Sequence, residues 1–165
     1  MSAGDRHGWN SLEGYLNAHH DNMRDFLDDF VTVDGIEILL SGPDAIQIEG
    51  RRLCRGGLFL DVRKTLEMNE RRHVRTVLYS YHAGIVGEPV RTIFRYDNAH
   101  PHPGHPDAHH KHCFDFSSWT EIKPPQWIGY AAWPTLRDVI EELCEWWSEH
   151  GQFLELTDDN DEPAT

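Results

Sequence analysis

The two strands that decide the fold lie between Val74 and Asp97, in Val74-Arg-Thr-Val-Leu-Tyr-Ser-Tyr-His82 and Val90-Arg-Thr-Ile-Phe-Arg-Tyr-Asp97. Both stretches are rich in β-branched and aromatic residues, and alternate residues share a face, which predicts two β-strands. The segment between them, Gly84-Ile-Val-Gly-Glu-Pro89, is a tight turn, so the strands are expected to run antiparallel. This pair predicts two neighbouring strands of an antiparallel sheet.

Further strands precede this pair. Ile36-Glu-Ile-Leu-Leu40 and Ala45-Ile-Gln-Ile-Glu49 flank Ser41-Gly-Pro-Asp44, a pattern typical of a hairpin. A third strand over Leu58–Val62 follows the turn Gly56-Gly57. Successive short strands joined by tight turns predict a meander rather than a parallel sheet.

Helical spacing appears near both ends of the chain. Apolar residues predict an N-terminal helix near 11–32, with His19 on its apolar face. Thr135 opens a second helix that Gly151 is expected to end, and a short edge strand is expected over 152–156. The predicted fold class is α+β: a single antiparallel meander sheet packed against an N-terminal and a C-terminal helix.

Length and composition predict one domain. A chain of 165 residues with 39% hydrophobic residues can bury a core, and residues 1–156 are expected to form a single α+β domain. The remaining residues, 157–165, are predicted to be a disordered acidic tail. Three cysteines without a C-x-x-C pair, no charged-then-apolar leader and no long apolar run predict a cytoplasmic protein that does not enter a membrane.

The charge is distributed unevenly along the chain. The formal net charge is −13, but residues 51–111 carry eleven Lys and Arg against six Asp and Glu, a net of +5. Residues 1–50 and 112–165 are acidic, with nets of −8 and −10. A basic centre indicates a surface that faces phosphates, even though the net charge of the chain is negative. The alternative is that these Lys and Arg residues only occupy the exposed face of a sheet.

A histidine-rich run follows the central strands. Six of the twelve histidines lie in the thirteen residues His100–His112, directly after Arg95-Tyr-Asp-Asn98. Three prolines and a glycine keep this run out of regular structure, and His109–Phe116 is expected to resume as a strand with His110 and His112 facing one way. A Pro-rich connection is predicted over 119–133. Pairing of the strands on either side of the loop would gather histidines from both of its ends.

Two kinds of chemistry fit this cluster. RNA cleavage without a metal needs a base, an acid and a cation, which histidine and arginine supply, while Asp97 would orient an imidazole. The predicted catalytic residues are Arg95, Asp97, His100, His102, His110 and His112. The predicted phosphate- or RNA-binding residues are Arg63, Lys64, Arg91, Tyr81 and His82, with Arg95 as a further phosphate ligand.

The alternative chemistry is a metal site. Histidines at i and i+2 of a strand project to one side, so His100 with His102 and His110 with His112 could chelate Zn²⁺ or Ni²⁺. RNA cleavage by histidine and arginine requires no cofactor, whereas the metal site requires a divalent metal such as zinc.

The motifs of residues 50–150 resemble those of the TumE-like family of toxin–antitoxin toxins. The resemblance rests on Leu53-Cys-x-Gly-x-Leu-x-Leu-Asp-Val62, Val77-x-Tyr-x-Tyr-His82, Arg95-Tyr-Asp-Asn-x-His100 and His109-His-x-His112. It implies a compact α+β domain and, as partner, an antitoxin of the helix-turn-helix class. The long N-terminal helix and the acidic tail depart from the family pattern.

Three functional hypotheses follow. The first is a toxin that acts on RNA as a histidine-dependent, metal-independent ribonuclease. The second is a non-enzymatic binding module whose histidine cluster holds a divalent metal or stabilises a partner-binding hairpin. The third is a solitary regulatory protein without toxicity. The unpaired edges of a small sheet also allow a homodimer.

Overall fold

The computed structural model describes residues 5–158. In chain order the elements are β1 (Gly8–Trp9), α1 (Leu12–Arg24), β2 (Val31–Asp34), β3 (Glu37–Leu40), β4 (Ala45–Cys54), β5 (Leu58–Met68), β6 (Val74–Ile85), β7 (Arg91–Asp97), β8 (His110–Phe114), β9 (Glu121–Trp127) and α2 (Leu136–Asp158). A single 3-10 turn, Arg55–Gly57, joins β4 to β5. Among these residues, no helix has both the length and the apolar character needed to cross a membrane.

The strands form one antiparallel sheet, which confirms the predicted α+β meander. Its order is β2-β4-β5-β6-β7-β8-β9, so six consecutive strands from β4 to β9 lie side by side. The short β1 pairs with β6, and β3 pairs with β4 in the predicted hairpin. Because each strand neighbours the next one in sequence, residues on β7 and β8 face each other directly.

The two faces of the sheet differ in what covers them. One face carries Val62, Leu66 and Tyr81, all nearly fully buried in a cluster with Tyr15 of α1 and Leu143 of α2. Complete burial of such a side chain contributes about 1.5–3 kcal/mol. The other face, called here the open face, has no helix on it among the described residues. It is the face on which Arg63, Ser80, Arg95 and Asp97 lie.

The N-terminal helix begins as predicted but ends earlier. Ser11 caps it, because its Oγ accepts the N–H of Gly14 at 3.0 Å. The predicted end near residue 32 is wrong, since the helix stops at Arg24 and the chain turns, with Asp28 at φ 71°. Residues 31–34 then pair with β4 as β2, so their backbone hydrogen bonds lie in the sheet.

The C-terminal helix is longer than predicted. Gly151 does not end it, and residues 152–156 continue the helix instead of forming an edge strand. Gly151 is instead a packing position, because a Cβ there would stand 2.7 Å from the Trp147 ring. Continuation of the helix buries Leu154 one turn further on. Of the predicted tail, residues 157 and 158 belong to α2, and 159–165 lie outside the described residues.

The predicted Pro-rich connection contains a strand. Glu121–Trp127 forms β9 at the edge of the sheet, paired with β8, although it includes Pro124 and Pro125. An edge strand tolerates proline because its outer side needs no N–H donor. This edge strand places Glu121 beside the histidines of β8.

Candidate functional site

The β7–β8 hairpin brings together the predicted residues of its two strands. Asp97 is directly opposite His110, and Arg95 is opposite His112. Successive side chains of a strand point to opposite faces, so all four residues share the open face, while Lys111 and Cys113 point to the helices. The prediction that this hairpin gathers histidines with Arg95 and Asp97 is confirmed for His110 and His112.

The centre of the site is the histidine–aspartate group, defined as Asp97, His110 and His112. The Nε2 atoms of His110 and His112 lie 3.0 Å apart. Asp97 Oδ1 is 3.4 Å from His110 Nε2, and Asp97 Oδ2 is 3.6 Å from His112 Nε2. Two imidazole nitrogens and a carboxylate therefore converge on one point. Asp97 and His110 are buried, and His112 is half-buried.

The outer nitrogen of each ring faces an acceptor. His110 Nδ1 lies 2.7 Å from the carbonyl oxygen of Ala108, and His112 Nδ1 lies 2.6 Å from Glu121 Oε1. Neither acceptor can donate, so both Nδ1 atoms must carry the proton. In their neutral forms both Nε2 atoms are then unprotonated, and two lone pairs face each other beside Asp97. Such an arrangement needs a proton or another cation between the rings.

Glu121 is the functional residue that the sequence analysis missed. It is part of the unpredicted β9, and no motif marks it. The hydrogen bond from His112 lowers the pKa of the Glu121 carboxyl, which keeps it ionised as an acceptor. Only recognition of β9 as a strand paired with β8 would have placed this carboxylate next to His112.

The histidine–proline loop, residues 98–109, lies over the histidine–aspartate group. His102 Nε2 is 3.2 Å from the carbonyl oxygen of Pro125 in β9, and its ring lies 5.7 Å from that of His110. His105 stacks on Trp127 with ring centroids 4.6 Å apart. Asp107 accepts the Trp127 Nε1–H at 3.0 Å. These contacts fasten the loop to β9 and close one side of a cavity.

That cavity has a volume of about 820 Å³, within the usual range for ligand sites. The histidine–aspartate group lies in its wall with Arg63, Arg95 and His100. Its lining further includes Leu78, Ser80, His102, His105 and the prolines 101, 103, 124 and 125. A second hollow of about 830 Å³ shares Arg63, Ser80 and Arg95 with it and extends along the open face to His82 and Glu121.

The loop histidines do not all join the group. His100 lines the cavity as an exposed residue. His109 is buried, and its ring stacks against those of Tyr79 and Trp133, which also stack on each other. Its Nδ1 lies 3.1 Å from the Tyr79 hydroxyl, and burial lowers the pKa of its imidazole. His109 therefore packs into the molecule while its neighbour His110 reaches the site.

The predicted phosphate ligands are divided between the two faces. Arg63 and Arg95 are exposed on the open face, where His82 is half-buried with its Nε2 2.9 Å from Thr92 Oγ1. Arg91 lies over the Trp119 ring at 5.3 Å.

Two of these residues lie on the helix-covered face. Lys64 is 5% exposed, with its Nζ 3.4 Å from the Tyr15 hydroxyl, and burial lowers the pKa of its amine to about 8. Tyr81 is buried as well. The structure therefore does not bring Lys64 and Tyr81 together with the histidine–aspartate group.

The model of one protein family, described as Toxin TumE, matches residues 19–150 of the chain. This range contains the whole β4–β9 meander and every residue of the histidine–aspartate group. No curated protein and no solved structure matches the chain significantly.

Proposed function

Because the chain belongs to the TumE toxin family, we propose that it is the toxin of a toxin–antitoxin pair and that it cleaves RNA in the cavity under the histidine–proline loop. The partner that this implies is an antitoxin. Its helix-turn-helix class, a homodimer of the toxin and a cytoplasmic location remain predictions.

The observation that carries the proposal is the convergence of His110, His112 and Asp97 at the wall of a cavity of nucleotide size. Phosphodiester cleavage requires a proton to leave the attacking oxygen and another to reach the leaving oxygen. The two imidazoles lie close enough together for one to take up the first proton and the other to deliver the second, and Asp97 would stabilise an imidazole that carries a positive charge.

Two arginines support a phosphate in the same cavity. Arg63 is 3.9 Å from its nearest carboxylate, on Glu49, and Arg95 is 4.0 Å from Asp97. These separations exceed hydrogen-bond length, so both guanidinium groups keep donors for a phosphate. Arg51 on the same face differs, because it donates to both oxygens of Asp61 at 2.7 and 2.8 Å. Arg63 and Arg95 are therefore the proposed phosphate ligands.

A second function is favoured by the side-chain contacts that the histidine–aspartate group makes with its neighbours. Asp97, His110, His112 and Glu121 join β7, β8 and β9 through their side chains. In a non-enzymatic binding module these contacts would serve only to hold the hairpin and its loop for a partner. This alternative predicts that the histidines matter for stability and not for a reaction.

The test is induction of the chain in cells, with growth and RNA integrity measured together. The parent is expected to arrest growth and fragment RNA. His110→Ala and His112→Ala should each lose about 100-fold or more of the cleavage rate, in line with removal of a proton-transfer group. Arg63→Ala should weaken RNA binding and make it less sensitive to salt.

His73→Ala is the matched control, because His73 is an exposed histidine in the turn between β5 and β6. It should arrest growth as the parent does. Arrest with intact RNA in the parent would overturn the ribonuclease. Full toxicity in both His110→Ala and His112→Ala, each verified as folded, would remove the histidine–aspartate group from the reaction and favour the binding module.

A further inference from the structure

We propose that Asp97, His110 and His112 bind one divalent first-row transition-metal ion such as Zn²⁺, with Asp97 as the third ligand beside the two imidazoles. The inference keeps RNA cleavage as the function, on which the role of the ion rests, and replaces proton transfer by the two imidazoles with activation of a metal-bound water. Binding itself stands on the geometry of the three side chains.

The spacing of the donor atoms suits a single ion. One ligand atom from each of the three residues lies within 4.8 Å of the other two. Imidazole nitrogens bound at about 2.0–2.1 Å to a tetrahedral zinc ion lie about 3.4 Å from each other. The observed Nε2–Nε2 distance is 3.0 Å, and the Asp97 oxygens are 3.4 and 3.6 Å from the same nitrogens. The rings need to separate by only a few tenths of an ångström to admit the ion.

The hydrogen bonds behind the imidazoles prepare them as ligands. A metal-binding histidine usually donates its other N–H to a carboxylate or a backbone carbonyl, which fixes the tautomer and the ring orientation. His112 makes the first kind of bond to Glu121, and His110 makes the second kind to Ala108. Both Nε2 lone pairs are thereby directed at the point that Asp97 also faces.

Charge and burial favour a cation at this point. The side chains of Asp97 and His110 are each 7% exposed, so an ionised carboxylate is expensive there without a close partner. The nearest guanidinium, on Arg95, is 4.0 Å from Asp97. A divalent ion would relieve both the repulsion between the Nε2 lone pairs and the weak pairing of the carboxylate.

The donor set selects the class of metal. Three protein ligands would leave the fourth position of a tetrahedral ion for a water or the substrate, and all three residues line the cavity. Two imidazoles with one carboxylate suit Zn²⁺, Co²⁺, Ni²⁺ or Fe²⁺, whereas Mg²⁺ and Ca²⁺ prefer oxygen ligands. On the cavity side His102 directs its Nε2 to Pro125, and its Nδ1 is buried without a partner among residues 5–158. A polar atom in this state indicates a ligand or a water within the cavity.

The open position gives the ion its role in cleavage. A bound water would lose a proton near neutral pH, and its oxygen would bond to phosphorus as the bond from phosphorus to the leaving ribose oxygen breaks. The leaving oxygen takes up a proton, and nothing is oxidised or reduced. Arg63 and Arg95 would hold the remaining phosphate oxygens.

The test is calorimetric titration of the full chain, without a histidine tag, with Zn²⁺ alone and no RNA. We expect saturation at one ion per chain. Asp97→Asn and His112→Ala should each weaken this binding by about 100-fold. A His100→Ala/His105→Ala double variant removes two imidazoles from the histidine–proline loop, and it should keep the tight site. Co²⁺ should give a visible absorption band in the parent and in the double variant only.

Protein folding is checked by the melting temperature, which Zn²⁺ should raise in the parent and not in Asp97→Asn. Absence of one-to-one binding, or equal loss in the loop double variant, would overturn the metal site. RNA cleavage by zinc-free protein in a chelator would overturn the role of the ion and leave the ribonuclease standing. Tight binding at these residues with RNA intact would overturn the ribonuclease and leave the metal site standing.

Discussion

Glu121→Gln is the sharpest test of how the histidine–aspartate group is held in place. The substitution keeps the size of the side chain and an acceptor oxygen for His112 Nδ1, which lies 2.6 Å from Glu121 Oε1. It removes the negative charge and replaces the second carboxylate oxygen with an amino group. Glu121 does not reach the convergence point itself, so its effect on the reaction must pass through His112.

The expected loss of cleavage rate follows from the exchange of a charged hydrogen-bond acceptor for a neutral one. A bond to a charged group contributes about 1.5–3 kcal/mol and a neutral one about 0.5–1.5 kcal/mol, a difference of about 1–1.5 kcal/mol. That difference corresponds to a roughly 10-fold slower cleavage rate if the bond acts fully in the transition state. For metal affinity, loss of such an orienting carboxylate costs about 10–100-fold.

The assay measures both quantities, the RNA cleavage rate and the Zn²⁺ dissociation constant, in Glu121→Gln and Glu121→Ala. The amide variant should retain more of both than the alanine variant, because it still accepts the Nδ1–H. Glu67→Gln is the matched control, an exposed carboxylate elsewhere on the sheet. Unchanged values in Glu121→Gln would refute a positioning role. A loss far beyond 100-fold would show that Glu121 is itself a ligand.

Two further predictions concern stability. Burial lowers the pKa of His19 to about 4; the positive neighbours Arg52, Lys64 and His20 add to the effect, and Asp34 opposes it. The unfolded chain therefore binds the proton first, and stability is lost as the pH falls from about 6.5 toward 4. At about pH 5 the free energy of unfolding is about 2 kcal/mol lower because of this residue. Urea unfolding should show that His19→Leu loses less stability in acid than the parent. Equal losses in the two proteins would contradict the burial argument. Asp34→Ala should cost about 3–5 kcal/mol, because it leaves the fully buried guanidinium of Arg52 without the carboxylate that it contacts at 3.0 Å. The same unfolding measurement on Asp34→Ala/Arg52→Leu should recover much of the loss, and a double variant no more stable than Asp34→Ala would show that the unpaired charge is not the cause.

Local patterns were sufficient for the middle strands of the sheet and for half of the site. Alternation over Val74–His82 and Val90–Asp97, with short turns between strands, predicted the meander because neighbouring strands in a chain pair through local hydrogen bonds. The same alternation put Arg95 with Asp97 and His110 with His112 on shared faces. Residues two positions apart in a strand always point to the same side of it. The sequence alone was therefore enough to assign each of these pairs to one side of its strand.

The sequence by itself thus determined the α+β class, the central hairpin and the shared face of its polar residues. Only the tertiary structure decided the remainder: Glu121 as the partner of His112, the position of Lys64 and Tyr81 on the helix-covered face, and the true ends of α1 and α2. Each of these depends on contacts that form when separate elements pack together, as where Lys64 of β5 lies against Tyr15 of α1. Local propensity carries no information on such contacts, because their free energy exists only once the elements are packed together.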